Sequence, residues 1–181
     1  MNIYENPLIL QENREKEHAY FIPFHSMASA IIREKESSQF YKLLNGNWKF
    51  AYFNRCVDVP EDIYVENGAS LFQSEINVPC SWQAAGYDAP QYLNISYPFP
   101  VDPPYVPIDN PAGVYAREFD ISEEWAKRDT FIIFEGVSSC LELYINGKRV
   151  GWSQGSRMPS EFDISPYVQV GKNRLVAKVL K

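Results

Sequence analysis

The sequence predicts an all-β fold, a β-sandwich or jelly roll preceded by an N-terminal arm, and three observations predict it. From residue 44 onward, apolar and aromatic residues recur with period two in short runs. Turn-forming dipeptides, Asn45-Gly46 and Asn146-Gly147, sit beside those runs. Helical periodicity is almost absent, and closely spaced short strands without intervening helices point to a sandwich rather than to alternating strands and helices.

Taken in order, residues 1–42 are polar and weakly patterned, and they form the expected arm lying over the sandwich of residues 43–181. Ala28, Ile31 and Ile32 hint at a helical face that Ser37-Ser38 interrupts. Trp48, Phe50 and Tyr52 alternate with Lys49 and Ala51, which makes 44–53 a strand with an aromatic inner face. Further strands are expected at 114–121 (VYAREFDI), 130–137 (TFIIFEGV), 140–145 (CLELYI), 149–154 (RVGWSQ) and 173–180 (NRLVAKVL), all rich in β-branched and aromatic residues. In CLELYI the alternation sends Leu141, Leu143 and Ile145 to the core. Asn146-Gly147 then reads as a two-residue hairpin in which both residues take positive φ. Only 122–128 (SEEWAKR) looks helical, with Ser122 as its N-cap.

Six prolines lie in the stretch from Tyr97 through Pro111. Proline removes ladder donors and fixes φ, so the stretch is extended but not a central strand. Phe99, Val101, Tyr105, Val106 and Ile108 are apolar enough to be expected against the sandwich. The alternative is a PxxP ligand for an aromatic groove.

A chain of 181 residues buries roughly 70% of its unfolded surface, enough for one core, and is too short for a (β/α)₈ barrel. The net charge is −6 and no run of Lys and Arg exceeds two, which argues against a phosphate backbone as partner. Cys56, Cys80 and Cys140 form no CxxC pair and are odd in number, as expected of free thiols in a reducing compartment. No apolar run approaches the ~18 residues of a membrane span, and the N-terminus lacks the pattern of a signal peptide.

Enzymatic signatures are missing. His18 and His25 lie in the polar arm, off any metal-ligand spacing, and there is no GxSxG, HExxH or phosphate loop. Glu161 and Asp163 stand in SRMPSEFDIS (156–165) and are expected to satisfy loop amides or to pair with Arg157. Recognition chemistry is better represented. Residues 79–98 combine Trp82, Tyr87 and Tyr92 with Gln83, Asp88, Gln91 and Asn94, a mix that suits a sugar ring and its hydroxyls. The same composition also describes core aromatics beneath polar loop tips.

The segments LNGNWKFAYF (44–53), VPCSWQAAGYDAPQYLNISYPFPVDPPYVPIDNPAGVYAREF (78–119), FEGVSSCLELYINGKRVGWSQGSRMPSEFDIS (134–165) and GKNRLVAKVL (171–180) give the strongest indication. Together they resemble the amino-terminal sugar-binding, galactose-binding-like jelly-roll domain of glycoside hydrolase family 2. Within the family they are most similar to the large bacterial β-galactosidases of the lacZ type.

The resemblance implies a longer polypeptide with an immunoglobulin-like domain and a barrel whose two glutamates hydrolyse β-galactosides with retention. None of those catalytic residues falls in this chain, so its catalytic set is expected to be empty and the chain alone inactive. Asn94 of the DAPQYLN motif is implied to reach the galactose, with Ile95 lining the pocket and Tyr92 and Arg157 nearby. Gly155 stands where the resemblance places an aspartate tied to a sodium ion and to the sugar 6-hydroxyl, which removes a sodium ligand. Magnesium is implied for the complete polypeptide only.

The implied partners are a β-galactoside and the remaining domains, with a second copy able to cover an unpaired sheet edge. Neither nucleic acid nor a membrane is among them, and the implied setting is a bacterial cytoplasm unless a leader has been removed. A free-standing carbohydrate-binding module, or the same domain of a β-glucuronidase or β-mannosidase, is the alternative.

Overall fold

The computed structural model describes residues 2–92, 94, 95, 97 and 99–181. Among them the regular elements are β1 (Gln11–Glu12), α1 (Met27–Ile32), β2 (Gly46–Phe53), β3 (Ser74–Val78), β4 (Ala112–Ile121), β5 (Phe131–Phe134), β6 (Cys140–Ile145), β7 (Lys148–Gln154), β8 (Ser160–Asp163) and β9 (Gly171–Leu180). A seven-stranded antiparallel sheet runs β1-β7-β6-β9-β4-β2-β3, and β5 pairs with β8 in a second sheet.

Period two decides which side chains meet. Along β6, Leu141, Leu143 and Ile145 are buried on the inner face, toward Phe162 and Ile132 of the second sheet. Phe50, Phe119, Leu175 and Ala177 share that layer. The outer face of the large sheet is covered too. Ala51, Val114, Ala116, Trp152 and Val176 pack beneath the 3₁₀ turns of residues 56–71, which contribute Cys56, Val59, Ile63 and Tyr64. There the Tyr64 and Tyr144 rings stack at 3.9 Å and 7°. Strand β9, flanked by β4 and β6, is buried on both faces, which explains its nearly unbroken apolar run.

The hairpin forms as expected: Asn146 and Gly147 adopt φ of 50° and 77°. The Asn146 side chain fixes it further, donating to Tyr167 O at 3.0 Å and accepting from Arg174 N at 2.8 Å.

Several expectations needed correction. Strands β3 (SEINV) and β8 (SEFD) are too short and polar to announce themselves, and β5 occupies only four residues of the run 130–137. The short helical segment expected at 122–128 is a 3₁₀ turn (Trp125–Lys127), and Ser122 Oγ accepts from Trp125 N at 3.2 Å. In the arm, Ser26 caps α1 by accepting from Ser29 N at 3.2 Å, and Arg33 ends it at φ 60°.

The proline-rich stretch behaves differently from expectation. Phe99 and Val106 are partly covered, but Val101 is 83% exposed and Tyr105 and Ile108 are also exposed. The segment closes turns on itself, Tyr105 N to Asp102 O at 2.9 Å and Asn110 N to Pro107 O at 3.1 Å, instead of joining the sheet.

Residues 1–42 reach the sandwich at specific points. Gln11 and Glu12 pair with Ser153 and Trp152, and Asn13 Nδ2 donates to Val150 O at 2.8 Å. Farther along, His18 Nε2 lies 2.8 Å from Glu161 Oε2.

Candidate functional site

Strand register gathers the candidate loops at one end of the molecule. Gln154 pairs with Cys140, Cys140 with Leu180, Leu180 with Ala112, and Ala112 with Phe53. That row marks one end of the large sheet. The loop that enters β4 carries Tyr92, Asn94 and Ile95, and the turn that leaves β7 carries Gly155 and Arg157, so both emerge at this end.

The first loop has a fixed base and an exposed tip. Trp82, only 3% exposed, lies against the backbone of β4 at Gly113, where a β-carbon would come within 2.4 Å of the indole Cε3. Tyr87 N donates to Trp82 O at 3.0 Å, and the Tyr87 ring meets Phe50 edge-on at 4.8 Å. Trp82 is therefore a core residue and Tyr87 a half-buried one packed against the core, rather than a platform for a sugar, and their packing holds the base of the loop on the sheet. Tyr92 is 75% exposed, Ile95 is 84% exposed and Asn94 is exposed. Leu93 of the DAPQYLN motif lies outside the described residues.

Asp88 marks the boundary between base and tip. Its Oδ1 accepts from Ala89 N at 2.8 Å, and its Oδ2 accepts from Lys181 Nζ at 2.6 Å. Burial, and to a smaller extent the Asp88 carboxylate, pushes the neighbouring Tyr52 hydroxyl up from its ordinary value. No local pattern in the sequence announces the Asp88–Lys181 pair, since its members are 93 positions apart.

Past the second turn Asp163 satisfies a loop amide as expected, its Oδ1 accepting from Ser165 N at 2.8 Å and from Ser165 Oγ at 2.5 Å, whereas Glu161 meets His18. Among the described residues Arg157 pairs with neither. It is exposed at φ 69°, and its Cα lies 3.5 Å from where a Gly136 β-carbon would sit. Position 155 has φ +115°, a conformation that strains any residue bearing a β-carbon. An aspartate there would oppose the backbone, and Gly155 offers a sodium ion no side-chain ligand. Among the described residues no three His, Cys, Asp or Glu side chains group as metal ligands.

A large open groove of about 1850 Å³ lies along the inner face of the sheet. Trp48, Phe119, Leu141, Phe131 and Val179 line it, whereas Asn94, Ile95, Gly155 and Arg157 do not. A wall of that composition suits polypeptide contact better than a sugar, whose hydroxyls need converging polar groups. Cys56 is buried and Cys80 exposed. The half-buried Cys140 thiol is pushed up to about 12 by burial. No helix among the described residues is long and apolar enough to cross a membrane.

An all-β sandwich with a polar and aromatic loop held at one end is the class of protein that these elements define. Residues 41–181 match the family described as glycosyl hydrolases family 2, sugar binding domain. The chain belongs to that family. It is 42% identical over 181 residues to a β-galactosidase of Actinobacillus pleuropneumoniae, covering 99% of this chain and 17% of that protein. A β-galactosidase of Pectobacterium atrosepticum is 44% identical over 179 residues, covering 98% of this chain and 17% of that protein. One from Yersinia pestis is 45% identical over 181 residues, with the same two coverages. The chain thus spans about 17% of the length of these relatives.

Among solved structures, a Bifidobacterium dentium β-glucuronidase superposes with TM-score 0.55 at 22% identity, covering 76% of this chain and 19% of that one. A Ruminococcus gnavus β-glucuronidase gives TM-score 0.57 at 21% identity, covering 77% of this chain and 22% of the other. Likeness at that identity establishes the fold alone.

Proposed function

We propose that this chain is the non-catalytic sugar-binding domain of a β-galactosidase and supplies one wall of the galactose pocket through Asn94 and Ile95. The observation that carries the reading is 42–45% identity to β-galactosidases over nearly the whole chain. The geometry is compatible with it. An amide offers both a donor and an acceptor to a sugar hydroxyl, and Asn94 stands exposed beyond a loop base anchored in the core.

Hydrolysis with retention needs two carboxyl groups about 5 Å apart, one as nucleophile and one as acid and base. Three carboxylates of the candidate loops and of β8 are engaged otherwise: Asp88 with Lys181, Glu161 with His18 and Asp163 with Ser165. In this reading the chemistry belongs to other parts of a longer polypeptide, and the apolar groove is a face for contact with that polypeptide.

The test is the steady-state hydrolysis of a chromogenic β-galactoside by the complete polypeptide and its Asn94→Ala variant. One lost hydrogen bond of about 1 kcal/mol corresponds to a fall of roughly 5-fold in kcat/KM. A preference for the matching β-glucuronide, or an Asn94→Ala variant indistinguishable from the parent, contradicts the assignment.

A further inference from the structure

We infer that the Asp88–Lys181 ion pair is a positioning device that sets the direction in which the loop carrying Asn94 leaves the sandwich. The inference rests on the functional reading above and deepens it by naming residues that touch no sugar themselves.

The loop changes character at one residue. From 81 to 87 it is tied down: Ala84 N donates to Ser81 O at 3.0 Å and Gly86 N to Gln83 O at 3.1 Å, while Trp82 and Tyr87 are packed into the core. From Ala89 to Tyr92, and at Asn94 and Ile95, the side chains are exposed. Among the described residues up to Ile95, Asp88 is the last one hydrogen-bonded to the sandwich, and its two oxygens hold different things. Oδ1 receives the Ala89 amide, which fixes the first peptide of the exposed segment, and Oδ2 receives Lys181.

Lys181 is well placed to act as an anchor. It follows directly on β9, the doubly buried strand between β4 and β6, and its own N donates to Pro111 O at 3.3 Å, just before β4. Both side chains of the pair are 18% exposed. Partly desolvated, charge-assisted contacts of this kind are stronger and more directional than exposed ones. Asp88 therefore joins the outgoing loop to the end of the central, doubly buried strand of the sheet. A displacement of about 1 Å in a binding group lowers turnover of substrate by up to about 100-fold, so a small rotation at Ala89 is felt at Asn94.

The test uses the complete polypeptide with Lys181→Gln, Lys181→Arg, Asn94→Ala and the Lys181→Gln/Asn94→Ala double variant. KM and kcat for a chromogenic β-galactoside are measured alongside thermal unfolding. Lys181→Gln should raise KM by about 3- to 5-fold, no more than Asn94→Ala costs, with a smaller change in kcat; Lys181→Arg should recover most of the loss, and Tm should fall by only a few degrees. In the Asn94→Ala background Lys181→Gln should add little, because the pair acts through Asn94.

An unchanged KM in Lys181→Gln overturns the inference. So does an equal effect with and without Asn94, which is the mark of a merely structural residue. Should Lys181→Gln fail to fold, Lys181→Arg carries the test: a KM as high as that of Asn94→Ala in a folded protein contradicts the inference. Failure of the unaltered polypeptide to hydrolyse β-galactosides overturns the functional reading and takes the inference with it. Normal hydrolysis with an insensitive KM overturns the inference alone.

Discussion

Trp82 rests on Gly113, with no room for a β-carbon between the indole and strand β4. This contact is one of those that tie the loop 79–111 to the sheet, beside the Tyr87 ring on Phe50 and the Asp88–Lys181 pair. Any side chain at position 113 must displace the indole. Gly113→Ala is expected to cost about 1–3 kcal/mol, as overpacking of a core does, and to lower Tm accordingly. Gly136→Ala is the control, since a β-carbon there meets its nearest neighbour at an ordinary 3.5 Å. Thermal or denaturant unfolding of the two variants checks the contrast, and equal stabilities would argue against the packing described.

The contact between residues 1–42 and β8 should respond to pH. His18 Nδ1 faces Ala19 O at 2.9 Å and Nε2 faces Glu161 Oε2 at 2.8 Å, so both ring nitrogens meet acceptors and only the protonated imidazole can donate to both. The Ala19 carbonyl, then the Glu161 carboxylate and more weakly Glu15, raise the His18 pKa above 6.5; the Phe21 ring lies 5.7 Å away. A raised folded-state pKa gives a contribution that is complete below the ordinary histidine value and is lost as pH rises through the higher one. Titration of the His18 ring by NMR should give a value above 6.5, and Glu161→Gln should bring it down. A His18 value unmoved by Glu161→Gln contradicts the pairing.

The three thiols should separate by reactivity. The thiolate is the reactive form, so burial that pushes Cys140 up to about 12 protects it, and Cys56 is enclosed beside the Tyr4 hydroxyl at 3.4 Å. Cys80 is exposed. Alkylation of the native protein with iodoacetamide, followed by peptide mass spectrometry, should label Cys80 first and the other two only after unfolding. Equal labelling of Cys80 and Cys140 would show that the end of β6 opens readily.

What the sequence made legible was whatever depends on neighbours in the chain. The alternation of Leu141, Leu143 and Ile145 needs only period two, and Asn146-Gly147 carries its own backbone preference, so both were readable locally. The burial of Trp82 was not, because an indole becomes a core residue only when a glycine 31 positions later leaves room for it. His18 with Glu161 and Asp88 with Lys181 are separated by 143 and 93 positions, and opposite charges at such distances carry no periodic signal. The DAPQYLN and SRMPSEFD motifs identified the loops of interest, while the partners that fix those loops came only from the fold.

A non-catalytic sugar-binding domain should hydrolyse no β-galactoside on its own. The most direct measurement is a side-by-side assay of a chromogenic β-galactoside with the complete polypeptide and with residues 1–181 alone, each first verified as folded by circular dichroism. Hydrolysis is expected from the complete polypeptide and none from residues 1–181. Hydrolysis by residues 1–181 on their own would contradict it.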